Sequence, residues 1–202
     1  MQQNPWAREI PLEVYNEHMR DPRVGQLKAL NKIMEEQMAM HKPRSVAVLG
    51  SAGGNGFEHL KSADKIYAID INEDYLRTVG EKYAHYGNKL ELIHADLKEA
   101  ALPKCDLLIC NLIIEYVGID DFAELLERSD FGVASCAIQK NCGESFITQT
   151  RVAKKLECLN DFHHNIDGNE LDKRIGLKVV YRHNYVLPNN KEFVRLDFKG
   201  RN

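Results

Sequence analysis

The chain has little of what staples a small secreted domain. Its 202 residues include five cysteines (Cys105, Cys110, Cys136, Cys142, Cys158), one over from any pairing, and none forms a CxxC. That pattern favours buried or scattered free thiols in a reducing cytosol over a disulfide or zinc framework. Long hydrophobic runs are missing too. The longest apolar stretch, Leu107 to Ile114, is broken at Asn111 and is far too short to span a bilayer. The start, MQQNPWAREIPLEV, has no apolar core of a secretory signal. The expectation is a cytoplasmic protein with no membrane partner. Neither sign of charge dominates: 27 lysines plus arginines face 30 aspartates plus glutamates, a net charge of −3. Composition therefore lays no electrostatic footprint for a nucleic-acid backbone. Hydrophobic residues at 44% and charged residues at 28% instead describe an ordinary globular chain with a full core.

What is present is periodic. Leu12 to Arg20 reads as a short helix stopped by Asp21-Pro22. Val24, Leu27, Leu30, Met34 and Met38 then recur at helical spacing until Pro43. Five short apolar runs follow and read as buried strands: Ser45 to Leu49, Ile66 to Asp70, Leu90 to His94, Asp106 to Asn111 and Gly132 to Gln139. Helical patterns separate them. Asn72 is placed to cap one that carries Leu76, Val79 and Tyr83 on one face, and Phe122, Leu125 and Leu126 mark another. This alternation predicts an α/β fold with a parallel sheet covered on both faces. The end departs from it: Leu177 to Leu187 and Lys191 to Phe198 are strand-like and only Pro188-Asn189-Asn190 separates them. A connection that short makes an antiparallel hairpin. Residues 1–44 hold too few apolar positions for a core of their own, so their long helix must pack on the sheet unit, residues 45–202. That leaves residues 12–20 free to act as a lid.

The loop Gly50-Ser51-Ala52-Gly53-Gly54-Asn55-Gly56 directly follows the first strand and precedes a short helix, Phe57 to Lys61. Small residues there let the backbone approach a ligand, although a tight turn from strand to helix needs glycine in any case. Asp70 adds weight, because it ends the second strand 20 residues after Gly50, where an acid can accept both hydroxyls of a ribose. The two features specify a nucleoside-containing cofactor at the carboxyl edge of the sheet. The dinucleotide fingerprint GxGxxG fails in every register of this loop, from Gly50 at Ala52 and Asn55 and from Gly54 at His59.

From about Ser45 onward the chain resembles the class I S-adenosylmethionine-dependent methyltransferases. VAVLGSAGGNG looks like that family's first motif, IYAIDIN its second, LIHADL its third and DLLICNLIIEYV its fourth. The resemblance implies a Rossmann-like doubly wound sheet of seven strands, the last antiparallel, with N-terminal helices, and S-adenosyl-L-methionine as cofactor. It places Gly50, Ser51, Ala52 and Gly54 in the loop beneath the methionine portion. Asp70 would hold the ribose and Ile71 pack on the adenine, while Asp96 and the Leu97 N–H meet the ring and Asn111 lies beside the methionine amine. Ala52 stands where the family's middle glycine would be, and Val48 where an acid often precedes the loop.

Methyl transfer from a sulfonium starts from an activated donor, so the protein mainly aligns the acceptor by in-line geometry and excludes water. A general base is needed only for an acceptor that must lose a proton early. Candidates to meet the acceptor are Asn111, Glu115 and Tyr116 after the fourth strand, and Gln139, Lys140 and Asn141 after the fifth. Tyr15, His18 and Met19 join them on the first helix. His18 is the histidine considered as a base, against the ordinary reading of a surface histidine; His163-His164 reads as an exposed pair. No Asp/Asn-Pro-Pro-aromatic tetrapeptide follows the fourth strand, where Asn111-Leu112-Ile113-Ile114 stands instead. With the net negative charge, that favours a small-molecule methyl acceptor over nucleic acid. Alternatives are an NAD-dependent oxidoreductase, a non-catalytic S-adenosylmethionine-binding protein and an RNA methyltransferase. No metal is expected.

Overall fold

A computed structural model describes residues 4–201. Seven strands form one sheet: β1 (Ser45–Leu49), β2 (Lys65–Asp70), β3 (Leu90–His94), β4 (Cys105–Asn111), β5 (Phe131–Lys140), β6 (Val179–Val186) and β7 (Glu192–Lys199). Their order is β3-β2-β1-β4-β5-β7-β6, and β7 runs antiparallel to both neighbours. This is the doubly wound sheet with an antiparallel last strand that the sequence predicts. The order reverses beside β1, so the carboxyl ends of β1, β2 and β4 open onto one crevice, the usual ligand position in such sheets.

Period-two burial builds a layer on each side. Val46 and Val48 of β1 with Leu107 and Ile109 of β4 face one cluster, which takes Met34 and Met38 of α2 (Gln26–His41) and Leu76 and Val79 of α3 (Glu73–Lys82). Ala47, Leu49, Leu108 and Cys110 face the other, against Phe122, Leu125 and Leu126 of α5 (Ile119–Glu127) and Leu171 and Ile175 of α6 (Gly168–Ile175). The long N-terminal helix thus packs on the sheet, as its stripe requires. Asn72 caps α3 by accepting from the N–H groups of Asp74 and Tyr75 at 3.0 and 3.2 Å. Among the described residues Cys105, Cys110 and Cys136 are buried free thiols, Cys142 and Cys158 exposed ones. No described helix is long and apolar enough to cross a membrane.

The short helix expected after the glycine loop is present as a 3-10 helix, Phe57–Ser62, consistent with so few residues after a left-handed Gly56 at φ +86°. The region between β5 and β6 is a second layer over the sheet edge. Its 3-10 segment, Ala153–Asp161, contributes Leu156 and Leu159 to a small core with Ile10 and Val14, the latter on α1 (Leu12–Arg20). Residues 4–20 and 146–163 therefore make one cap from two distant parts of the chain.

Candidate functional site

Under this cap, at the carboxyl edge, lies a cavity of about 1180 Å³ counting its open mouth. Its floor holds Gly50, Ala52, Asp70, Ile71, Asp96, Leu97 and Asn111. Sequence reasoning named all seven. Gly50 sits at φ +64°, where a side chain would be strained, and a Cβ there would push aside the tip of Ile113, whose Cδ1 it meets at 2.8 Å. Ala52 holds φ +43° and Leu112, after β4, φ +55°. Two of the strained non-glycine residues thus line one cavity, as sites often do. Ser51 and Gly54, also named from the loop, are not on the wall. The Ser51 hydroxyl is buried without a partner. Gly54, at φ +68°, turns its bare Cα to Tyr83, whose ring a Cβ would meet at 2.7 Å and whose hydroxyl donates to the Gly54 carbonyl at 2.7 Å.

Asp70, at the end of β2, is only 6% exposed. Its carboxylate accepts from the N–H of Ala52 at 2.8 Å and of Asn72 at 2.9 Å, which ties the loop to the α3 cap. Burial pushes its pKa up to about 6, and those backbone donors oppose the rise. Asp96 is exposed and turned by its own loop, with its carboxylate accepting from the Lys98 N–H at 3.0 Å. Arg128 holds this loop by donating to the carbonyls of Leu97 and Lys98 at 2.8 Å each.

Asn111 is oriented from below. It exchanges amide hydrogen bonds with Gln37 of α2, which also donates to Ser135 at 2.9 Å. Ser135 donates to Asp197 at 2.5 Å, and Asp197 takes two bonds from Arg195 at 2.9 and 2.6 Å and one contact from His41 at 2.6 Å. Arg195 and Asp197 are both fully buried. Burial alone would raise the Asp197 pKa, but hydrogen bonds from His41, Arg195 and Ser135 outweigh it and hold the carboxyl below its ordinary range.

The roof carries the acceptor candidates. Tyr15, His18, Met19, Glu115, Tyr116 and Gln139 line the cavity; Lys140 and Asn141 do not. Lys140 is exposed, and Asn141 donates to Asn165 at 2.9 Å. His18 is 7% exposed rather than a surface histidine, because the segment 146–163 packs against α1, and its Nδ1 meets Thr150 Oγ1 at 2.9 Å. Burial, then Lys191, pushes its pKa down. The exposed pair also needs correction. His164 is exposed, but His163 is half-buried in the cavity wall, stacked on Phe146 at 3.8 Å. Burial, then His164 and Lys191, lowers its pKa to about 4.

Sequence reading missed Trp6, Tyr75, Phe146, Leu156 and Leu159, which complete the wall. Trp6 meets Tyr15 and Tyr116 edge-on at 5.7 and 5.1 Å, and its buried Nε1 has no partner. The cap's start is pinned to α3: Asn72 donates to the Trp6 carbonyl at 2.9 Å and Tyr75 to that of Ile10 at 2.6 Å. Lys191, 1% exposed, pins the other segment by donating to the Phe146 carbonyl at 2.8 Å.

Glu115, the first residue after the N-terminus of α4 (Ile114–Val117), is 2% exposed. One oxygen accepts from the Gln139 N–H at 2.6 Å, and Oε2 has no partner. Burial pushes its pKa from 4.5 up to about 7. A raised folded-state pKa gives stability that is fully present below pH 4.5 and lost as pH rises through 7. Glu115→Gln is therefore expected to stabilise the unliganded protein by about 1–2 kcal/mol at pH 8, raising its melting temperature by roughly 2–8 °C, with little gain at pH 5. Thermal denaturation at the two pH values checks this; an equal change at both removes the unpaired charge as its cause. Among the described residues, no three His, Cys, Asp or Glu side chains cluster to hold a metal.

No protein-family model matches the chain, and no curated protein matches it. Solved structures do. Magnesium protoporphyrin IX methyltransferase ChlM from Synechocystis PCC 6803, with bound SAM, superposes at TM-score 0.71 and 12% identity, over 98% of this chain and 95% of that one. The N-methyltransferase NodS from Bradyrhizobium japonicum WM9, in complex with S-adenosyl-L-homocysteine, gives 0.65 at 10% identity over 99% and 100%. The [4+2]-cyclase SpnF gives 0.64 at 7% identity over 85% and 80%. The fold is that of the class I S-adenosylmethionine-dependent methyltransferases. Since a cyclase is among its neighbours, activity has to be argued from the site.

Proposed function

We propose that the chain is an S-adenosylmethionine-dependent methyltransferase acting on a small molecule. One observation carries this reading: a single capped cavity joins the first glycine loop, the ends of β2 and β4 and the loop after β3 to an aromatic roof. The floor suits the cofactor. Asp70 supplies acceptors for a ribose, Ile71 and Leu97 flank an adenine, and Gly50 leaves the backbone bare. ChlM and NodS, crystallised with SAM or its product on the same fold, support the same reading. When bound, the cofactor supplies a sulfonium-activated methyl group open to in-line displacement. The chain's own residues then bind, align and exclude water, and Glu115 is the group able to take a proton near neutral pH. A roof this close suits a small acceptor better than a polynucleotide.

Calorimetry is expected to give micromolar affinity for S-adenosylhomocysteine, roughly −8 kcal/mol, and far weaker binding of NAD. Equal or tighter binding of NAD would transfer the site to an oxidoreductase.

Residues 1–44 are proposed as the part that supplies the lid, within which residues 4–20 close the cavity while α2 stays in the core. Because residues 146–163 share a core with them, both segments should move together. Amide hydrogen exchange is expected to slow across 12–20 and 146–163 when S-adenosylhomocysteine binds. A response confined to the floor loops would make the cap a fixed wall.

A further inference from the structure

The roof of the cavity is selective in charge. Glu115 brings one carboxylate oxygen with no partner. Lys98 is the one lysine or arginine among the residues lining the cavity, and it is engaged by Asp121 at 2.7 Å on the exposed rim. His18 and His163 are both held toward neutrality by burial. The buried Lys191 lies behind the wall, its ammonium held by the Phe146 carbonyl at 2.8 Å and Thr148 Oγ1 at 3.0 Å. An acidic ligand group would thus find no uncommitted cation on the wall, whereas a cation would find the Glu115 carboxylate there. It would also find rings: Trp6, Tyr15, Tyr116 and Phe146 line the same space, and aromatic faces attract ammonium groups.

We infer that the acceptor is an amine with an apolar body, bound as its ammonium ion between Glu115 Oε2 and the aromatic roof. This rests on the methyltransferase reading and names its substrate class. The ammonium ion gives one proton to the Glu115 carboxylate, leaving a neutral amine with a free lone pair beside a carboxylic acid; atoms and charge balance without a further reactant. A hydroxyl compound would also hydrogen-bond Oε2 but leave the buried charge uncompensated.

Three probes that share a phenol ring and differ in the end group test this: tyramine, tyrosol and 4-hydroxyphenylacetate. Their binding to the full chain is measured by calorimetry with and without S-adenosylhomocysteine. Tyramine is expected to bind about tenfold more tightly than tyrosol, because charge-assisted hydrogen bonds are about twice as strong as neutral ones, and the acid most weakly. Glu115→Gln should bring tyramine down to the level of tyrosol while S-adenosylhomocysteine affinity stays within about twofold. Equal binding of the amine and the acid to the unaltered chain, or an amine preference that survives Glu115→Gln, overturns the inference. The two readings fail separately. S-adenosylhomocysteine binding without amine preference leaves the cofactor site standing, and amine preference without S-adenosylhomocysteine binding leaves only the amine site.

Discussion

Asp197→Ala is expected to cost about 3–5 kcal/mol of stability, because it strands a charged Arg195 in the core. The carboxylate receives Arg195 twice, Ser135 once and His41 once, with both charged side chains wholly shielded from water. At this chain length the loss corresponds to a fall in melting temperature of roughly 6–20 °C. Replacing both members, as Arg195→Met with Asp197→Leu, should recover most of it, since it is the unpaired charge that is costly rather than the missing bridge. A drop of less than about 1 kcal/mol in the single variant would mean that water reaches the pair.

Asp70→Ala should weaken S-adenosylhomocysteine binding by about 2–4 kcal/mol, since hydrogen bonds to a charged acceptor contribute roughly 1.5–3 each and do not add fully. The variant should nonetheless stay folded. Removing the carboxylate orphans the N–H groups of Ala52 and Asn72, at roughly 1–3 kcal/mol each. Against this, burial raises the Asp70 pKa to about 6, so the ionised carboxylate is itself held at a cost at neutral pH that the variant no longer bears. The two effects oppose each other. Calorimetry and thermal denaturation on the same sample read both, and unchanged affinity in a folded variant takes Asp70 out of the cofactor site.

The strands were legible because each is a short apolar run with turn residues beside it, and the floor because glycine spacing and a strand-ending acid are local signals. Asn72 as a cap was local too. The roof was not. Phe146, Leu156 and Leu159 lie in a stretch with no sustained period, ordered as 3-10 turns and bends whose packing partners sit some 130 residues earlier, as in the His18–Thr150 contact. His163 and His18 read as surface groups because nothing near them in the chain announces the layer that covers them. Arg195 and Asp197 alternate in a strand with apolar neighbours, the pattern of a face turned to water. Only tertiary packing shows that α2 and its Gln37 lie over that face.

The place of β7 has a consequence for how the chain is made. It is synthesised after β6 yet sits between β5 and β6, so β6 has no partner when it leaves the ribosome and β5 ends the nascent sheet as an open edge. Growth from the N-terminus can complete the five parallel strands but not the sheet, and an exposed edge of that kind recruits other chains. A product that stops before Glu192 keeps the glycine loop, Asp70 and Glu115 yet lacks both members of the buried ion pair. Such truncated chains should accumulate as aggregate rather than as folded protein.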